Sequence, residues 1–350
     1  MEEPVIPKKK NATRKWGRIL IIEIILIVVL IPAIYLITRL GMINKASKDQ
    51  VNKDDISMND MDSMTQDSLA GYRNIAFFGV DSRDGSLETG ARSDAILIAS
   101  INTSTKDVKL VSVYRDTLLY LGESYGYDKA THAYAYGGAE LAMSMLNTNF
   151  DLDITEFVTV DFGSLAQIID ALGGLDIELS ESEVQWINEV IREQNRVTGS
   201  NSEEIYEAGM HHLDGTQAVA YSRIRKADND FKRTERQRLV ISKMLAAAKS
   251  AGVGTILKLV DELLPNIYTD LSYSDIISLA SDLTKYDLGD QSGFPFENVV
   301  GYYGDMSCVF ADGLLSNVSE LHSHLFGNDD YTASSTVQNL SDELLWLTGY

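Results

Sequence analysis

Residues 19–38 read ILIIEIILIVVLIPAIYLIT, an apolar run of 20 residues. At about 1.5 Å per residue such a run crosses a hydrocarbon core of roughly 30 Å. A cleavable signal peptide has a shorter apolar region, about 7–15 residues, and a small-residue cleavage site. This run is longer and ends in Thr38-Arg39-Leu40. It predicts an uncleaved transmembrane helix. Lys8, Lys9, Lys10, Arg14, Lys15 and Arg18 precede it, and the positive charge after it is soon diluted by Asp49, Asp54 and Asp55. The basic side stays inside the cell. The chain is therefore expected to be a single-pass cell-membrane protein, with residues 1–18 cytoplasmic and the C-terminal part extracellular. Pro32 is tolerated as a kink. Glu23 lies near one end of the run, where an acid costs less than at mid-membrane. It can sit at the headgroups, pair with Arg18 or meet another membrane protein.

The net charge is −21. Residues 1–45 hold eight Lys/Arg and three Glu, so the remainder carries −26. An acidic extracellular domain argues against a nucleic-acid partner, which needs a basic footprint. A single cysteine, Cys308, rules out an intramolecular disulfide framework. The domain must stand on its core.

Residues 39–71 are polar and lack apolar periodicity, and we read them as a flexible stalk. Strands are expected over 74–80, 94–101 and 108–113, with the second and third joined by the polar turn NTSTKD as a hairpin. Helices are expected over 140–147, 162–172 and 234–250, and strands over 175–179, 298–303 and 307–310. Residues 181–209 read as a loop-containing insert with a helix, and 329–350 as a loose polar tail. Strands mixed with helices on this scale predict an α/β fold, a single α-β-α layered domain with a central mixed sheet spanning 72–328.

Charged residues crowd the strand ends. Asp81 follows the first strand, Arg92 and Asp94 open the second, and Arg115 and Asp116 follow the third. If the first strand runs parallel to the third, these ends share one rim, where α/β folds hold ligands. Arg223 and Arg225 are two apart, and Arg233 and Gln237 share a helix face. An Arg fork matches phosphate oxygens, and carboxylates beside a phosphate suggest Mg²⁺. Spacing leaves two readings open: a pyrophosphate–Mg²⁺ site, or a network of edge salt bridges. His211-His212 lacks a third ligand and reads as structural rather than metal-binding.

Six motifs then fall in order: GVDSR, RSDAILIASIN, VYRDT, DKATHAYAYGG, DALGGLDIEL and HHLDGTQAVAYSRIRKADNDFKRTERQR. In order and spacing they resemble the LytR-CpsA-Psr family. That resemblance implies a glycopolymer transferase. It would move a teichoic acid or capsular polysaccharide from an undecaprenyl-pyrophosphate carrier to peptidoglycan by Mg²⁺-assisted phosphoryl transfer. Its alternatives are a lipid pyrophosphatase and a non-catalytic envelope regulator. By motif match, Asp81 and Asp94 hold Mg²⁺, and one of them is the candidate base. Arg92, Arg115, Lys129, Arg223, Arg225 and Arg233 clamp the pyrophosphate, and Gln237 bonds it or holds Arg233. Asp116 orients Arg115. The chain departs from the family pattern at Tyr114, Thr131 and Lys232, where Pro, Asn and Gly are usual.

Overall fold

The computed structural model describes residues 51–82, 87–225, 227 and 230–350. The basic tail and the apolar run of residues 19–38 lie outside them.

In chain order, α1 (Ser63–Ala70) leads into β1 (Tyr72–Val80), β2 (Ser93–Asn102) and β3 (Asp107–Val113). β4 (Leu118–Tyr120) and β5 (Tyr127–Lys129) make a short hairpin before α2 (Ala130–Phe150). Then come β6 (Glu156–Asp161), α3 (Phe162–Ala171), β7 (Leu175–Leu179), α4 (Glu181–Thr198) and β8 (Gly209–Leu213). α5 (Gly215–Arg223), α6 (Asp230–Ala251), α7 (Val253–Leu263), β9 (Tyr268–Thr269) and α8 (Tyr273–Ser281) follow. The chain closes with β10 (Asp287–Phe294), β11 (Asn298–Tyr303), β12 (Met306–Ala311), α9 (Leu314–Phe326) and α10 (Ser335–Thr348).

The main sheet has six strands in the order β10-β3-β2-β1-β6-β9. It is mixed: β1–β2 and β2–β3 are antiparallel, while β1–β6 and β3–β10 are parallel. The β2–β3 hairpin turns where Asn102 Oδ1 accepts from the amides of Ser104 and Thr105, a local bond that favours a turn. Alternate side chains enter two cores. Phe78, Ile96, Ile98 and Val111 pack with Leu146 and Phe150 of α2 and with Leu321 and Leu344 of α9 and α10. Ile75, Ala99, Ile101 and Leu110 form the other cluster, against Ile241 of α6 and Leu279 of α8. Helices thus cover both faces. A third cluster, with Ile169, Ile177, Ile187, Ile191 and Val219, joins α3, β7, α4 and α5.

Two expectations need correction. The described part of the stalk is ordered: Asp62 caps α1, and Ile56 and Leu69 are buried in the main core. Two apolar anchors in a polar stretch are too sparse to give a periodicity. The C-terminal segment is likewise not loose. Val337, Leu340 and Leu344 of α10 are buried, at the i, i+3, i+7 spacing of a helix stripe. The insert is mostly one helix, α4, started by a Ser180–Glu183 capping box.

Candidate active site

The strand geometry brings the predicted rim together. β1, β3 and β6 run the same way, so their C-terminal ends share an edge with the start of β2. Asp81 follows β1 there. The β1–β2 register shifts between Gly79, opposite Ala95, and Val80, opposite Ser93. Asp94 is therefore the extra residue of a bulge, a device that re-aims a side chain. Arg115 follows β3, and its carbonyl accepts from Thr131 N at the start of α2. Thr131 also donates its hydroxyl to Ser93 O at 2.9 Å, so it ties the β2 entry to the Arg115 turn. Tyr114 packs edge-on to Phe231 and sits where a Cβ on Gly293 would collide with its ring. It supports the start of α6.

A cavity of about 300 Å³ opens beside this rim, lined in part by Asp81, Asp94, Arg223, Arg225, Arg233 and Gln237. Arg115 Nη1 donates to Asp94 Oδ1 at 2.6 Å, with Asp116 3.7 Å and Asp230 4.0 Å from its Nε. Asp230 is the hub of the α6 side: Arg233 approaches it at 2.8 Å and Arg225 at 4.0 Å. Burial pushes the Asp230 carboxyl up, against the pull of Arg233 and Arg115. Burial also works against the Arg115 charge, but Asp94 and Asp116 outweigh it and hold the guanidinium above its ordinary value. Arg233 is only 3% exposed and Arg225 is 51% exposed, so the cluster runs from a fixed cation to one open to solvent. Arg223 lies over the Phe162 ring at 4.3 Å and donates to Gln194 Oε1 at 2.7 Å.

Three predicted residues stand back from the cavity wall: Arg115, which reaches it through Asp94, and Lys129 and Arg92. Lys129 reaches Asp116 at 3.1 Å and acts on Arg115 through that carboxylate. Arg92 is exposed, and its backbone carbonyl accepts from Asp81 N. Conversely, Asp230 and the α4 face (Trp186, Glu189, Val190, Glu193) were not assigned from sequence. Those four recur at helical spacing, a pattern obscured by treating the region as an insert. Lys232 points to solvent and pairs with Glu235 at 2.7 Å.

Asp81 and Asp94 offer two hard oxygen donors beside the Arg cluster. Among the described residues, no group of three or more His, Cys, Asp or Glu could hold a metal. Two carboxylates suit Mg²⁺, which keeps waters and takes phosphate oxygens for the rest of its shell.

The profile of the LytR_cpsA_psr family matches residues 36–302. The chain belongs to this family. It is 26% identical over 306 residues, 85% of this chain and 91% of the relative, to the polyisoprenyl-teichoic acid–peptidoglycan teichoic acid transferase TagT of Bacillus subtilis. It is 33% identical over 215 residues, 59% of this chain and 64% of the relative, to the transferase TagU of Enterococcus faecalis. The solved structure of TagT with bound octaprenyl pyrophosphate lipid has a TM-score of 0.54 at 22% identity, covering 79% of this chain and 96% of that one. This likeness establishes the shared mixed α/β fold.

Proposed function

We propose that the chain transfers an anionic glycopolymer, a teichoic acid or capsular polysaccharide, from an undecaprenyl-pyrophosphate carrier to peptidoglycan. It would work at the outer face of the cell membrane, held there by residues 19–38. The carrying observation is the convergence of Arg223, Arg225 and Arg233 with Asp81 and Asp94 on one cavity, backed by Arg115. The names of TagT and TagU support the reaction class.

In this reading the Arg cluster holds the diphosphate, and an acceptor hydroxyl attacks the phosphorus that bears the glycan. A new O–P bond forms, the P–O bond to the prenyl phosphate breaks, and prenyl phosphate leaves. The hydroxyl proton passes to a carboxylate at the cavity, for which Asp81 and Asp94 are the two candidates. Mg²⁺ at Asp81 and Asp94 would supply further neutralisation of phosphate charge. Protein groups in such a transfer mainly position and neutralise. The test incubates the full chain with a lipid-linked oligosaccharide, Mg²⁺ and peptidoglycan fragments. A coupled product is expected, and it should be lost in the Arg115→Ala/Arg225→Ala double variant. Release of free glycan phosphate with no coupled product would make the protein a pyrophosphatase.

A further inference from the structure

A second cavity, of about 170 Å³, adjoins the first. Asp81, Phe162, Glu193 and Arg223 line both, so the two meet at the end of β1. Beyond that junction the smaller cavity is built by the start of α3, at Asp161 and Gly163, and by Gln194, Val197 and Thr198 of α4. Its lining has fewer cations than that of the first, where Arg223, Arg225 and Arg233 all reach the wall. Three carboxylates, from Asp81, Asp161 and Glu193, face one cation, Arg223, which is already engaged by Gln194 and stacked on Phe162. A second phosphate would be repelled here.

The polar groups instead suit a neutral, hydroxyl-rich ligand. Gln194 is 1% exposed, and its Oε1 is committed to Arg223. That bond fixes the amide orientation and leaves Nε2 without a hydrogen-bond partner among the described residues. A buried amide donor left unpaired is costly, and the Gln194 side chain stands on the wall of this cavity. The carboxylates accept from hydroxyls, and the Phe162 ring and Val197 give apolar surface. Donors, acceptors and an aromatic wall together are what a sugar ring with amide and hydroxyl groups needs.

We infer that this second cavity seats a sugar of the acceptor glycan, so that its hydroxyl meets the diphosphate at the Asp81–Arg223 junction. The assignment rests on the transferase reading above. It gives the two substrates separate, adjoining cavities on one edge of the sheet, the cation-rich one for the diphosphate and the cation-poor one for the sugar.

Gly163 allows a direct test. A Cβ there would meet nothing closer than Asp161 Oδ1 at 3.5 Å, so a side chain can be added. Gly163→Leu should fill the second cavity and leave the first open. Gln194→Glu keeps an acceptor for Arg223 and removes the amide donor. The full chain in detergent is assayed for transfer from a farnesyl-pyrophosphate-linked oligosaccharide to a soluble peptidoglycan disaccharide–peptide fragment, and for binding of farnesyl pyrophosphate alone. Both variants should raise the KM for the fragment at least tenfold, while Gly163→Leu binds farnesyl pyrophosphate within twofold of the parent. An unchanged fragment KM in both variants overturns the inference, as does an equal loss of farnesyl pyrophosphate affinity in Gly163→Leu. Circular dichroism melts show whether Gly163→Leu folds; if it does not, Gln194→Glu decides. If the parent chain performs no transfer, the transferase reading fails by itself. Direct calorimetric binding of the fragment then decides the cavity: binding lost in the variants supports it, and no binding by the parent overturns it.

Discussion

Arg115 faces three carboxylates, Asp94 at 2.6 Å, Asp116 at 3.7 Å and Asp230 at 4.0 Å. Its planar fork meets them from two separate nitrogens, Nη1 and Nε, where a lysine has one. Arg115→Lys keeps the charge but not the fork, and its kcat/KM for transfer should fall about tenfold, against about 10²-fold or more for Arg115→Ala. Among the described residues, Lys129 touches the cluster through Asp116. Lys129→Ala should therefore cost less than Arg115→Ala in the same assay; an equal loss would place Lys129 on the substrate itself. The charged rim was legible because charge at the end of an apolar strand is conspicuous. Asp230 was not, because nothing in DNDFKRTER singles out one aspartate. Its role emerges only when α6 folds back beside β3, bringing Asp230 to Arg233, Arg225 and Arg115.

Asp151, wholly buried after α2, ties distant elements together. Its carboxylate accepts from Ser334 N and Oγ at 2.7 Å each, from Tyr331 Oη at 2.5 Å and from Asn59 Nδ2 at 2.6 Å. Burial and that carboxylate push the Tyr331 phenol far up, so it stays a donor. Asp151→Ala should destabilise by about 3 kcal/mol, since bonds to a buried charge are worth more than neutral ones. The loss should appear first as faster amide exchange in α10 and around Asn59. Unchanged protection there would remove Asp151 from this role. The β7–β8 ribbon offers a pH test. His212 donates to Asp176 Oδ1 and Gly173 O, first and second in raising its pKa. That stabilisation is fully present below the unfolded value of about 6.5 and is lost as pH rises through the higher folded value. Both partners are exposed, so the effect is small. Between about pH 6 and pH 8.5 the parent should lose slightly more melting temperature than His212→Gln. Element by element, apolar content decided what could be read. β1, β2 and β3 were found within two residues because their runs are β-branched and continuous. β10 (DLGDQSGF) was missed: it is an edge strand, polar and twice interrupted by glycine, and only pairing with β3 makes it a strand. α2 was found in part because Gly137 and Gly138 break its helical backbone, with Gly138 at φ 63.

At the scale of the molecule, the described residues hold three hydrophobic clusters, all of them beyond residue 50. In the proposed reading the anchor serves location while these clusters serve stability, two roles that can be separated. That separation makes it testable. A carrier lipid with a long prenyl tail stays in the bilayer, and an enzyme confined to the same surface meets it at an effective concentration that free diffusion does not supply. Residues 46–350 also carry the acidic excess, with 48 Asp/Glu against 22 Lys/Arg. Without the anchor this part would be repelled by an anionic membrane. A chain lacking residues 1–45 should keep its melting temperature and its activity on a water-soluble, short-prenyl donor. On an undecaprenyl donor in anionic vesicles its rate should fall by about tenfold or more. Added salt should recover part of that loss by screening the repulsion, since the Debye length shrinks from about 10 Å at 0.1 M to about 3 Å at 1 M. Equal rates on both donors would show that residues 1–45 do not bring the domain to its substrate. A fall on the soluble donor would instead show that these residues support the site itself.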